Sequence, residues 1–249
     1  MSDILNQIAD ARRAVMDHRF DEAAARASAV LSHLPSCLSA LRVLAWAQLE
    51  LDEDDALDAF ERCAAFDPED ALAYVGQAIW YQQRRQDAAA SRLWVCAWEL
   101  DSANQMIRRA LVKLTGELPE SQLADAIGLL QAGSADDAAD ILRRLRTQRS
   151  DPTVELALIS ALWASGAHGE AFDVAASVHS TGSQSVKAVL FVAALEDRAG
   201  RTLRTREAIA RAEQVDPGLT LFAKVVRQVG LQPALDLHRS TRTPLAAAR

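Results

Sequence analysis

Apolar residues recur in steps of three and four along most of the chain: Phe20, Ala23, Ala27 and Val30, then Ala56, Phe60 and Cys63, then Ala90, Trp94 and Ala97. Such spacing gathers them on one side of an α-helix. The predicted helices run to roughly 12–15 residues, too short to be stable alone in water. Each must therefore bury its apolar side on a neighbour. Glycine and proline are scarce, with 10 and 7 residues, so their positions act as punctuation. Pro35, Pro68 and Ser102 end three similar segments at spacings of 33 and 34, and Gly133, Gly166 and Gly200 recur at the same spacings. A proline cannot continue the helical hydrogen-bond ladder and restricts the residue before it. A fixed period of this length predicts stacked helix pairs.

A longer repetition lies above the first. Asp101 to Pro119 parallels Asp216 to Pro233 at an offset of 114 to 115. Each stretch follows three units and predicts one helix ending at glycine, Gly116 or Gly230. The expected organisation is a first block at 1–116, a second at 117–232 and a tail at 233–249. Each block holds three helix pairs followed by a single helix. The segment Gly116-Glu117-Leu118-Pro119 is the expected boundary, where the array either continues or bends.

Within each period the residues resemble the tetratricopeptide repeat family, in a bacterial type. The third unit carries the pattern most fully, with Tyr74, Gln77, Ala78 and Tyr81, then Ala90, Trp94 and Ala97, ending at Ser102 where the family prefers proline. The second unit matches through Ala56, Phe60, Cys63 and Pro68, the first through Phe20, Ala23, Ala27, Val30 and Pro35. Units of the second half carry Gly166 with Ala171, and Gly200 with Ile209, Ala212 and Pro217. The resemblance implies an all-α, right-handed superhelical solenoid of antiparallel helix pairs. It also implies a concave groove lined by the first helix of each pair, holding a partner's helix or extended peptide.

That mapping places Arg42, Trp46, Leu49, Leu72, Val75, Ile79, Gln82, Gln83 and Trp163 on the groove. An apolar surface of this kind marks an interaction site. Trp46 and Trp163 are read either as partner anchors or as filler against a neighbouring helix; Trp80, Trp94 and Trp98 are read as packing. Family members that clamp a terminal carboxylate use Lys and Asn at set positions. Here those places hold Ile8, Arg12, Val43, Leu72 and Gly76, so that clamp is absent.

Charge narrows the partner class. The net charge is −7, and residues 1–117 carry all of it, with 12 Lys/Arg against 19 Asp/Glu. An acidic chain has no positive field to gather phosphates, so neither nucleic acid nor an anionic membrane surface is the expected partner. Only Lys113, Lys187 and Lys224 are lysine, an arginine bias that with the abundant alanine matches GC-rich bacterial coding. From Gly218 onward the charge is locally +4, which suits docking on the acidic first half, of the same chain or of a second copy. The N-terminal stretch lacks a basic leader pattern, no apolar run approaches membrane-spanning length, and Cys37, Cys63 and Cys96 are odd in number and far apart. The expected location is the cytoplasm.

The same residues form no visible catalytic constellation. The five histidines are scattered, no cysteine pair has metal-ligand spacing, and no glycines cluster to cradle a phosphate. The acidic run Asp52-Glu53-Asp54-Asp55 is read as a solvated turn favouring the dipole of the following helix, and its spacing does not fit a calcium loop. The arginines at 143, 144, 146 and 149, and at 198, 201, 204 and 206, are read as a solvated face with acids interspersed. No catalytic residue, metal site or cofactor is expected. The function expected is a protein-binding scaffold or adaptor. The alternatives are a structural subunit held by its ends or convex face, or, below that, an RNA-binding module or an enzyme.

Overall fold

The computed structural model describes residues 2–149 and 151–242. Its elements are α1 (Ser2–Met16), α2 (Phe20–His33), α3 (Leu38–Glu50), α4 (Ala56–Phe66), α5 (Ala71–Gln83), α6 (Asp87–Leu100), α7 (Gln105–Thr115), α8 (Gln122–Gln131), α9 (Ala135–Gln148), α10 (Pro152–Ala164), α11 (His168–Ser180), α12 (Val186–Arg198), α13 (Thr202–Val215), α14 (Ala223–Val229) and α15 (Gln232–Arg242). The fold is all-α. Consecutive helices pack as antiparallel pairs, α1 with α2, α3 with α4, α5 with α6, α8 with α9, α10 with α11 and α12 with α13. The second helix of one pair packs on the first of the next, as α2 does on α3 and α4 on α5.

One turn geometry recurs inside the pairs. His18, Asp52 and Arg85 have φ of 57°, 57° and 55°; Gly133, Gly166 and Gly200 have φ of 90°, 84° and 71°. At His18 the next residue's N–H reaches back five residues, from Arg19 to the Ala14 carbonyl, while His18 itself donates to Val15; the same pair of bonds forms at Asp52, Arg85, Gly133 and Gly200. This is the Schellman closure of a helix, which requires a left-handed residue. The glycine period of the second half and the unmarked turns of the first are thus one structural position. A side chain there costs about 1 kcal/mol, offset in part by glycine's larger entropy loss on folding. Arg85→Gly is therefore expected to raise the unfolding midpoint by about 1–2 °C, measured by calorimetry.

The halves do not stay apart. Leu38 and Leu41 of α3, Cys63 and Phe66 of α4 and Ala73 of α5 belong to the same buried cluster as Val154, Ala157, Val186, Val189 and Leu190 of α10 and α12. The turn between α4 and α5 meets the N-terminal turns of those two helices. Thr153 Oγ1 donates to the Pro68 carbonyl at 3.4 Å. Lys187, 8% exposed, donates from Nζ to both Glu69 carboxylate oxygens at 2.9 and 2.7 Å and to the Leu156 carbonyl at 2.9 Å, and also reaches Ser160 Oγ. Arg149 pairs with Glu99 of α6 at 3.6 Å. The chain reverses after α7, which Gly116 closes with φ 90°; α8 then packs on α6, as α7 does. Residues 1–116 and 117–232 thus share one core.

The tail docks inside the second half. α15 packs on α13, with Arg239 Nε donating to Glu213 Oε1 at 3.2 Å and Arg239 NH2 to the Gly218 carbonyl at 2.8 Å. His238 is buried 3.5 Å from Glu213. For the described part of the tail this corrects the expectation that it lies on the acidic first half of its own chain: Arg239 finds a buried acid on the neighbouring helix instead. The residues from 243 onward lie outside those described.

Candidate functional site: a slot between the second and third helix pairs

The slot is built from two adjoining pairs. α3 supplies Arg42 and, one turn on, Trp46. α4 supplies Phe60 and Cys63, and the start of the third pair supplies Asp70, Leu72 and Ala73. Asp70 caps α5, accepting the Leu72 N–H on Oδ1 at 3.2 Å, which fixes the helix's entry. Its other oxygen takes Arg42 Nε at 2.7 Å, while Arg42 NH2 donates to Asp67 Oδ2 at 3.0 Å. The guanidinium is thereby neutralised and held flat against one wall. Trp46 and Phe60 meet edge to face, centroids 5.1 Å apart. Leu72 stands at the rim, 48% exposed. Phe60 in turn lies over Gly76, where a Cβ would fall 2.2 Å from the ring.

The space in this open recess is about 190 Å³. Small-molecule sites run to about 300–1,000 Å³, so this slot suits a single apolar side chain. Its floor offers little chemistry. Burial pushes the Cys63 thiol up to about 12, against the pull of Arg42, so at neutral pH it stays protonated and is no thiolate.

Burial also raises Asp67, from 3.8 to about 6, with Arg42 opposing the shift. Between these values the folded state holds the proton more tightly than the unfolded chain. Asp67 therefore adds stability as pH falls through 6, and its buried charge opposes folding at pH 7. Asp67→Asn, which keeps an acceptor for Arg42, is expected to be more stable than the parent at pH 7. The gap should close toward pH 4.5, as read from urea midpoints at the two pH values.

Of the residues mapped from sequence onto the groove, the structure brings together Arg42, Trp46 and Leu72. Leu49 and Val75 are corrected: they are 2% and 0% exposed and pack as core, because helices on both sides of α3 and α5 close over them. Arg42 is at the site but committed to Asp67 and Asp70. Ile79 is half-buried against the aromatic clusters, and Gln82 Oε1 accepts from Trp94 Nε1 at 3.0 Å; Gln83 is exposed. Trp163 belongs elsewhere. It stacks on His168 with centroids 4.1 Å apart and meets Phe172 and Phe191 edge-on, so it is held as filler in the second half. Phe60, Cys63, Asp70 and Ala73 were not on the mapped groove. Phe60 and Cys63 carry the three-and-four spacing of a core stripe, and only the capping position of Asp70 signals its place.

The other candidates resolve as structure. Asp52 and Asp54 of the acidic run pair with Arg84, which also stacks over Trp80 at 3.9 Å. Arg143 links Asp140 and Glu170, Arg146 holds Glu155, and Arg201 holds Glu196. Among the described residues no cluster of three metal-type ligands occurs, and no helix is long and apolar enough to cross a membrane.

No family model and no curated protein matches this chain. Solved structures similar to it, each at 14% identity, include a tetratricopeptide repeat protein from Parabacteroides merdae ATCC 43184, over 91% of this chain and 84% of that one with a TM-score of 0.38. Another is pilF of Pseudomonas aeruginosa, over 96% and 97% with a TM-score of 0.36. A third, a structure of Naa15/Naa10 bound to HypK-THB, overlays 96% of this chain but only 36% of its own, with a TM-score of 0.39. Overlays this loose carry no argument about family or function, and the array of helix pairs stands on the packing described above.

Proposed function

We propose that this chain is a protein-interaction scaffold that holds a segment of a partner protein over the slot between α3, α4 and α5, and that it performs no catalysis of its own. The observation that supports this reading is the slot itself: an open apolar recess with an exposed leucine at its lip and an arginine already neutralised at its wall. An apolar side chain entering it would displace water from Trp46 and Leu72 and leave no buried charge unpaired. Burying such a side chain contributes about 1.5–3 kcal/mol, the scale of a single hot-spot anchor. The neighbouring α5 surface, with Ile79 and Gln83, would carry the rest of the segment.

Leu72→Glu puts a charge at the lip without touching the core. It is expected to fold normally and to lose the bound protein when tagged chain is purified from its native cell, whereas Leu203→Glu, on an exposed site of α13, should keep it. Equal capture by both variants would contradict the slot. A structural subunit held by its ends or convex face predicts that Leu72→Glu keeps its partner.

A further inference from the structure

The outer face of α7 is exposed. Its inner side buries Ile107 and Leu111 completely. Its outer side presents Arg108, Arg109, Val112 and Lys113 with Leu118 of the following loop, around an open depression of about 380 Å³. The face is uncovered because the chain turns at Gly116 and lays α8 on α6, so no later helix stacks on α7. Arg109 and Lys113 make no ion pair among the described residues, and Arg108 reaches only the Ser102 carbonyl at 3.4 Å. Glu117 and Glu120 in the next loop are exposed and pair with none of them. Arg26 of α2, Arg42 of α3 and Arg143 of α9, by contrast, each meet an acid within 4.0 Å. Three cations left free in an acidic chain, beside exposed Met106 and Val112 at 47% and 40%, form a cationic strip with an aliphatic centre.

We infer that this face binds an acidic amphipathic segment of another protein, with carboxylates reaching Arg108, Arg109 and Lys113 and aliphatic side chains lying on Val112 and Leu118. Charge complementarity selects the sign, and the aliphatic centre selects the pattern. A second copy fits less well, because the chain's own acidic run Asp52–Asp55 contains no apolar residue and two of its acids hold Arg84. RNA fits less well because no aromatic side chain lines the face to stack a base.

The test uses the full chain and a fluorescein-labelled synthetic peptide with Glu and Leu at helical spacing, followed by anisotropy. Controls are the same peptide with serine in place of leucine and an oligouridine of equal charge. The leucine peptide is expected to bind, and about tenfold more weakly to the triple variant R108E/R109E/K113E, as three exposed charge pairs would give. Val112→Ser, which keeps every charge, should also weaken it, and Leu72→Glu should not, which separates this face from the slot. The inference is overturned if the triple variant binds equally well, or if oligouridine binds as tightly as the peptide. It is likewise overturned if sedimentation shows the parent chain to be a dimer that the triple variant abolishes.

Discussion

Lys187→Met is expected to lower the thermal midpoint by about 4–16 °C, at about 2–4 °C per kcal/mol for a chain of this size. The ammonium is almost wholly buried and holds Glu69, the Leu156 carbonyl and Ser160 at the meeting of the two halves. Removing one partner of a buried pair typically costs about 3–5 kcal/mol, because the other charge is left uncompensated. Glu69 keeps 31% of its side chain in solvent, so the loss should fall toward 2–4 kcal/mol. The double variant Lys187→Met, Glu69→Leu should recover most of it, since replacing both charges leaves nothing unpaired. Calorimetry of the two single variants and the double measures the coupling. If the single change leaves the midpoint untouched, Lys187 does not hold the halves together.

Gly76→Ala should cost up to about 2 kcal/mol net, against the direction of helix propensity. In the middle of a helix alanine is ordinarily better than glycine by about 1 kcal/mol. Here a Cβ would lie 2.2 Å from the Phe60 ring, and the ring cannot retreat freely because Trp46 packs against it edge-on. Forcing an extra carbon into such a space costs about 1–3 kcal/mol in strain. Phe60→Leu in the same chain should restore part of the loss by giving the new methyl room. Urea unfolding of the single and double variants reads both effects, and a Gly76→Ala protein more stable than the parent would show that the ring yields.

The helix pairs are legible in the sequence because their signals are local: apolar steps of three and four, Pro68 ending α4, Gly133 and Gly166 closing turns. The matching turns of the first half are hidden because His18, Asp52 and Arg85 take the left-handed position that glycine advertises elsewhere. The folding-back of the second half on the first is not legible at all. Leu38, Leu41 and Phe66 carry the same spacing whether they face their own pair or a distant one. The one trace is Lys187, a lone lysine at the start of an apolar run in a chain with three lysines. The slot was half visible. Arg42, Trp46 and Leu72 fall on first-helix positions, but Phe60 and Cys63 reach it from a second helix, where the pattern reads simply as core. Leu49 and Val75 sit on those same first-helix positions yet face inward, because helix rotation, not position number, decides exposure.

Photo-crosslinking from position 72 reads out whether a partner segment lies over the slot. A benzophenone amino acid placed at Leu72, and for comparison at Leu203, is activated in the native cell, and adducts are mapped by mass spectrometry. A segment held over the slot gives one protein joined at position 72, through a peptide carrying an apolar anchor, and absent at position 203. No adduct at 72, or the same adducts at both positions, would contradict it.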